Sequence, residues 1–254
     1  MITRRRAIIA GNWKMFMSPE KGAALAREIV EILGKTPAVE TVLCPPTVTL
    51  TAVAEELRET EIWLGAQNIH WENEGAYTGE VSPTMLAGWC DYVIIGHSER
   101  RQYFAESDDN VNRKVKAALA QGLKPIICVG ENLDENDAGR TGEVVARQVN
   151  AAFKGLNEGE TLRTVVAYEP VWAIGSGRAA TPGGANSVCA AHVRAPLCAL
   201  FGGGVAEAVR VQYGGSVKPD NIAEFMAEPD IDGALIGGAS LSAESFCAIV
   251  NSAR

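Results

Sequence analysis

Glu169 ends an apolar run, TVVAYEP, and is followed by Pro170, Val171, Trp172, Ala173 and Ile174, then Gly175-Ser176-Gly177. A carboxylate in that place has the chemistry of a general base. If the apolar side chains after it close as a lid, loss of water raises its pKa and strengthens its basicity. Proline stiffens one end of that lid and the two glycines loosen the other. Lys14, just beyond Asn12 in AIIAGNWK, offers a fixed cation to an anion in a chain of net charge −8. His97 follows YVIIG and opens SERRQYF. Ser98 is expected near the N-cap of that short helix, whose positive end disfavours imidazolium. A neutral ring can polarise a carbonyl by donating its N–H. Glu99 is placed to orient Lys14. The glycines of GSG, YGGS and GGAS let backbone amides converge on an anion, with Ser240 or Ser242 opening a helix at the last of them.

Taken singly, each residue has a plainer reading. A strand-end lysine or glutamate is commonly a solvated charge, and a histidine after an apolar strand is commonly structural. His192, in CAAHVRAPL, reads as mid-helix and His70 as unassigned. The weight therefore rests on the elements that would bring the candidates together. Short, continuously apolar runs begin at Ala7, Thr41, Ile62, Tyr92, Lys124, Thr164, Val209 and Gly233. Runs of that kind suit parallel strands covered on both faces. Amphipathic segments such as EKGAALAREIVEIL and NVNRKVKAALAQG lie between them, with glycine stops at Gly34, Gly122 and Gly155. Eight strand–helix repeats in 254 residues predict a single (β/α)₈ barrel domain over 1–254. The alternative is a doubly wound open sheet, for which the first turn, GNWKM, lacks the usual glycine-rich pattern. In such barrels the chemistry sits at the C-terminal strand ends. Asn12, Lys14, His97, Glu131, Glu169, Ser216, Gly237 and Gly238 all fall there.

Composition excludes several function classes. The net charge of −8 argues against nucleic acid as a partner, since duplex binding needs a concentrated positive face. No apolar run approaches the roughly 20 residues that span a bilayer. The AIIA stretch near the start is too short for a signal-peptide core. Six cysteines without a CxxC pair point to reduced thiols rather than zinc or disulfides. A Schiff-base aldolase would want a lysine inside a strand. A metal-dependent one would want clustered histidines and carboxylates. A non-catalytic phosphate-binding scaffold would bind without turnover.

GNWKM, PPTVTL, GAQNIHWENEGAYTGEVSP, VIIGHSERRQYF, PIICVGE, AYEPVWAIGSG, VQYGGSV and LIGGASL, in this order, make the chain similar to the triosephosphate isomerase family over its whole length. The resemblance implies reversible conversion of D-glyceraldehyde 3-phosphate and dihydroxyacetone phosphate through an enediolate, in glycolysis and gluconeogenesis, in the cytoplasm, with no metal or cofactor. Lid closure is a familiar property of that family. By the match, Glu169 is the base, His97 the neutral acid–base partner and Lys14 the cation. Asn12 positions the site, and amides near Gly175, Ser216, Gly237 and Gly238 hold the phosphate. Ile174 and Leu235 would clamp Glu169, and Tyr213 and Ser216 would bond the closed lid. The segment 69–83 implies a homodimer, with Thr78 reaching a neighbouring subunit near Asn12 and Lys14, and Glu80 pairing with Arg100. Departures from the pattern are Ser176 in the lid, Arg178 after it, and Pro182-Gly183-Gly184, which reads as a weak helix start.

Overall fold

The computed structural model describes residues 5–35, 38–174 and 180–253. Among them, eight strands run parallel and close on themselves in chain order. They are β1 (Ala7–Asn12), β2 (Val39–Cys44), β3 (Ile62–Ala66), β4 (Tyr92–Ile95), β5 (Lys124–Val129), β6 (Val165–Tyr168), β7 (Arg210–Tyr213) and β8 (Gly233–Ile236). Closure comes from β1 against β8, where Ile8 pairs with Gly233 and Gly11 with Ile236. The open-sheet alternative is thereby excluded, because a doubly wound sheet leaves its two edge strands unpaired.

The unbroken apolar strands are explained by two cores. Ile8, Ala10, Val42, Ile94, Ile126, Val165 and Leu235 fill the barrel. Their alternating neighbours, among them Ile9, Leu43, Val93, Ile127, Val166 and Val211, face the surrounding helices. Period-two alternation is present in every strand, but both faces are buried, so polarity cannot reveal it. Tight contacts set the glycines. A Cβ on Gly233 would fall 1.8 Å from the Ile8 carbonyl oxygen, so the β1–β8 seam closes only on glycine.

The helices start as their sequences ask. Ser18 caps Pro19–Leu33, Ser107 caps Asp108–Ala120, and Asn132 forms a reciprocal capping box with Glu135. Gly34, Gly122 and Gly155 lie at positive φ, as expected of stops. The expected weak start at Pro182 is corrected. Thr181 caps Pro182–Val188, its hydroxyl accepting from Gly184 N at 3.2 Å, with proline in the first turn. That helix continues through a π turn, Cys189–Arg194. Pro196 follows, without the N–H that would bond back to His192. His192 packs on Gly142, where a Cβ would stand 2.5 Å from the ring, so this histidine fills a helix–helix contact. His70 is likewise structural, lying between the rings of Trp71 and Tyr77 at 4.2 and 4.3 Å. Its amide donates to Val81 O at 2.8 Å and so pins the base of the protruding segment that carries Thr78. No described helix is long and apolar enough to cross a membrane.

Candidate active site

The strand ends converge on a cavity of about 360 Å³ lined by Asn12, Lys14, His97, Glu169, Ser216 and Gly237-Gly238, with Ile174 and Leu235 on its apolar side. Of the catalytic and substrate-binding residues that the resemblance implied, all lie there except Gly175, which is outside the described residues with Ser176, Gly177 and Arg178.

Lys14 does not simply end a strand. Its φ is +51°, a left-handed conformation that costs a non-glycine residue about 1 kcal/mol. Two amide side chains hold it there. Asn12 Oδ1 accepts from Lys14 N at 3.0 Å, and Gln67 Nε2 donates to Lys14 O at 2.8 Å and to Cys44 O at 2.9 Å. The ammonium meets Glu99 Oε1 at 2.6 Å, as expected of an orienting partner.

His97, not Ser98, is the N-cap of the helix Ser98–Tyr103: its Nδ1 accepts from Glu99 N at 3.2 Å. The freed Ser98 amide donates instead to Glu169 Oε2 at 3.0 Å. A ring nitrogen that accepts is unprotonated, so the hydrogen-bond pattern assigns the neutral Nε2–H tautomer. That Nε2 lies 3.1 Å from Glu169 Oε1. Burial lowers the His97 pKa, but the Glu169 carboxylate outweighs it and the net direction is upward.

Glu169 is 2% exposed, and here the sequence expectation needs correction. Burial does push its pKa up and is the largest single influence. His97, the Ser98 amide and Lys14 together outweigh it, and the net direction is downward. In this arrangement the base is dry yet held as a carboxylate by its donors. Its seat is cut by two glycines. A Cβ on Gly130 would fall 1.7 Å from the Glu169 carbonyl oxygen, and one on Gly214 would fall 2.7 Å from its Cγ. The YGGS glycines thus serve the protein's own side chains first. Gly215 clears the Tyr213 hydroxyl, 2.2 Å from a Cβ placed there, while of the YGGS and GGAS glycines Gly238 alone faces open space.

Sequence reasoning missed the role of Glu131, which it noted only as a strand-end polar residue. Fully buried beyond β5, its carboxylate accepts from Trp172 Nε1 at 2.7 Å, Tyr168 OH at 3.2 Å and Asn136 Nδ2 at 3.2 Å. Its carbonyl accepts from Val171 N at 3.0 Å. The lid's first turn, Val171–Ala173, is therefore anchored to the neighbouring loop. A tryptophan in an apolar loop was the only signal, since a buried indole N–H needs an acceptor. Tyr213 is buried and stacks on Phe225 at 4.1 Å.

The family model for triosephosphate isomerase matches residues 7–253. The chain belongs to the triosephosphate isomerase family. Proteins named triosephosphate isomerase from Caldanaerobacter subterraneus subsp. tengcongensis, Chloroflexus aurantiacus and Thermoanaerobacter pseudethanolicus are 55%, 53% and 53% identical to it. Each alignment covers 97% of this chain and 99% of the relative. The family's fold is the closed eight-stranded barrel described above.

Proposed function

We propose that Glu169, His97 and Lys14 carry the family's reaction, the reversible interconversion of D-glyceraldehyde 3-phosphate and dihydroxyacetone phosphate. Glu169 removes the proton from the carbon beside the carbonyl and returns it to the neighbouring carbon. His97 Nε2–H donates to the oxygen that gains electrons, and the Lys14 ammonium faces the enediolate charge. Asn12 fixes the Lys14 backbone, and Ser216, Gly175, Gly237 and Gly238 receive the phosphate. Entry of substrate takes Glu169 away from His97 Nε2 and Ser98 N. Burial then acts on the carboxylate with less opposition, and its basicity rises where it is used. Ile174 and Leu235 supply the apolar wall that keeps water from the intermediate.

The observation that carries this reading is the Glu169 carboxylate held between His97 Nε2 at 3.1 Å and Ser98 N at 3.0 Å in a cavity that Lys14 also lines. The test is the rate of dihydroxyacetone phosphate formation, in the presence of chelator, by the native protein and by Glu169→Gln. Fast turnover that collapses in the variant, with phosphate inhibition retained, supports it. Phosphate binding without turnover by the native protein overturns it in favour of a scaffold.

The same reading includes one domain over 1–254, a cytoplasmic location in glycolysis and gluconeogenesis, and a homodimer. Support for the dimer comes from Met15, 94% exposed, with Phe16, Tyr77 and Met85 also exposed. Gln67 ties the base of the Thr78 loop to the Lys14 segment that bears Met15 and Phe16. Within one chain Arg100 faces Glu106 at 3.5 Å, and the Glu80–Arg100 pair is part of the proposed dimer contact. Sedimentation at micromolar concentration, with Thr78→Arg as the disrupted control, tests it. A native monomer that is fully active would remove the dimer from the proposal.

A further inference from the structure

A phosphate dianion approaching a protein of net charge −8 needs a local positive field. Among the described residues, Lys14, His97, Glu169 and Lys218 are the ionisable side chains lining the cavity. Lys14 is already matched by Glu99 at 2.6 Å. Glu169 adds a negative charge, and its histidine neighbour is neutral in the hydrogen-bond pattern. With Glu99 included and Lys218 left out, these described side chains carry one net negative charge, the wrong sign for the substrate.

Lys218 lines the same cavity as Gly237 and Gly238, following Ser216 and Val217 in the chain. It is exposed, and among the described residues it forms no ion pair. Its backbone is nevertheless fixed. Lys218 N donates to Asn221 Oδ1 at 2.8 Å, Asn221 Nδ2 donates to Ser216 O at 3.2 Å, and Lys218 O accepts from Asn221 N and Ile222 N, both at 3.2 Å. Ile222 is fully buried at the start of the helix Ile222–Met226, which anchors the turn to the core. A flexible four-carbon stem on a clamped base suits a cation that meets an anion in water and follows it to the wall.

We propose that Lys218 is a specificity-determining residue, the cation that draws the substrate's phosphate to the cavity wall at Ser216, Gly237 and Gly238. The proposal rests on the isomerase reading for its substrate, but not for its measurement. Because the side chain is exposed, its attraction is screened. Lys218→Ala is expected to lower kcat/KM for glyceraldehyde 3-phosphate about three- to fivefold at low salt, through KM. That loss shrinks as the screening length falls to about 3 Å at 1 M salt.

The experiment measures kcat and KM for glyceraldehyde 3-phosphate and for phosphate-free glyceraldehyde, at low and high salt. Native protein, Lys218→Ala, Lys218→Arg and Lys218→Glu are compared, and calorimetry gives the affinity of each for inorganic phosphate. Weaker phosphate binding and higher KM in Ala and more so in Glu, recovery in Arg, and a loss confined to the phosphorylated substrate support it. Equal losses on both substrates, or unchanged phosphate affinity in Lys218→Ala, overturn it. A native protein that binds phosphate without turnover sinks the isomerase reading, while calorimetry still decides the role of Lys218.

Discussion

Two carboxylates stand at the ends of neighbouring strands, both buried, with opposite employment. Glu131, beyond β5, is surrounded by neutral donors: an indole N–H, a phenol and a carboxamide. Glu169, beyond β6, leans on a histidine and one backbone amide at the floor of a cavity. The first accepts from three neutral groups of the chain itself, so it is a fixture on which the lid's entry turns. The second is held by donors that a substrate can take over. Burial costs both carboxylates their water, and what separates anchor from base is whether the replacement donors are permanent.

Substitution is the strongest way to break that comparison. Glu169→Gln keeps shape and hydrogen bonding but loses the base, so kcat should fall about a thousandfold or more. Glu131→Gln, by contrast, should lose less than about tenfold, since its amide oxygen still accepts from Trp172. Steady-state kinetics on both variants checks this, and similar losses would erase the distinction. His97→Gln is the next largest, with kcat lower by about a hundredfold. The acid limb of its kcat/KM profile should move to higher pH, because the strongest influence lowering the Glu169 pKa is removed. A limb that stays in place would mean that Ser98 N and Lys14 hold the carboxylate without the ring.

Glu131→Ala removes the carboxylate that accepts from the Trp172 indole and the Tyr168 phenol and should destabilise the fold by about 2 kcal/mol. Urea unfolding reads this, and an unchanged midpoint would show that water replaces the carboxylate. The smallest effect is the pH dependence of stability. Glu169 has a depressed pKa in the folded state, so its contribution is present above its ordinary value of 4.5 and is lost as pH falls through the folded value. His97 has a raised pKa, so its contribution is present below 6.5 and is lost as pH rises through its folded value. Relative to native protein, Glu169→Gln should flatten both slopes in thermal melts. Parallel curves would mean that the pair is uncoupled from folding.

Much of the site was legible because its residues sit beside local signals. Glu169 precedes a proline and an apolar lid, His97 follows a strand and opens a helix, and Lys14 follows the first apolar run. What the reading got wrong involves partners distant in the chain or competing effects of similar size. It set Ser98 near the N-cap but missed that His97 itself is the cap, its Nδ1 accepting from Glu99 N. It raised the Glu169 pKa from the lid's apolar character, without the donors that outweigh burial. It counted the YGGS glycines toward a ligand, whereas Gly214 and Gly215 make room for Glu169 and Tyr213. The Thr181 cap was overlooked beside Pro182-Gly183-Gly184, although its signal is local and readable.

The sequence by itself determined eight strand–helix repeats and the chemical types at their C-terminal ends, because apolar runs, caps and breakers act over a few residues. Only the tertiary structure decided that Gln67 holds Lys14 in a strained conformation, that Gly130 admits the Glu169 backbone, and that Glu131 receives Trp172 from the next loop. Those contacts span from about 40 to more than 50 residues. Their geometry is set by the twist and closure of the barrel, and no local propensity carries that information.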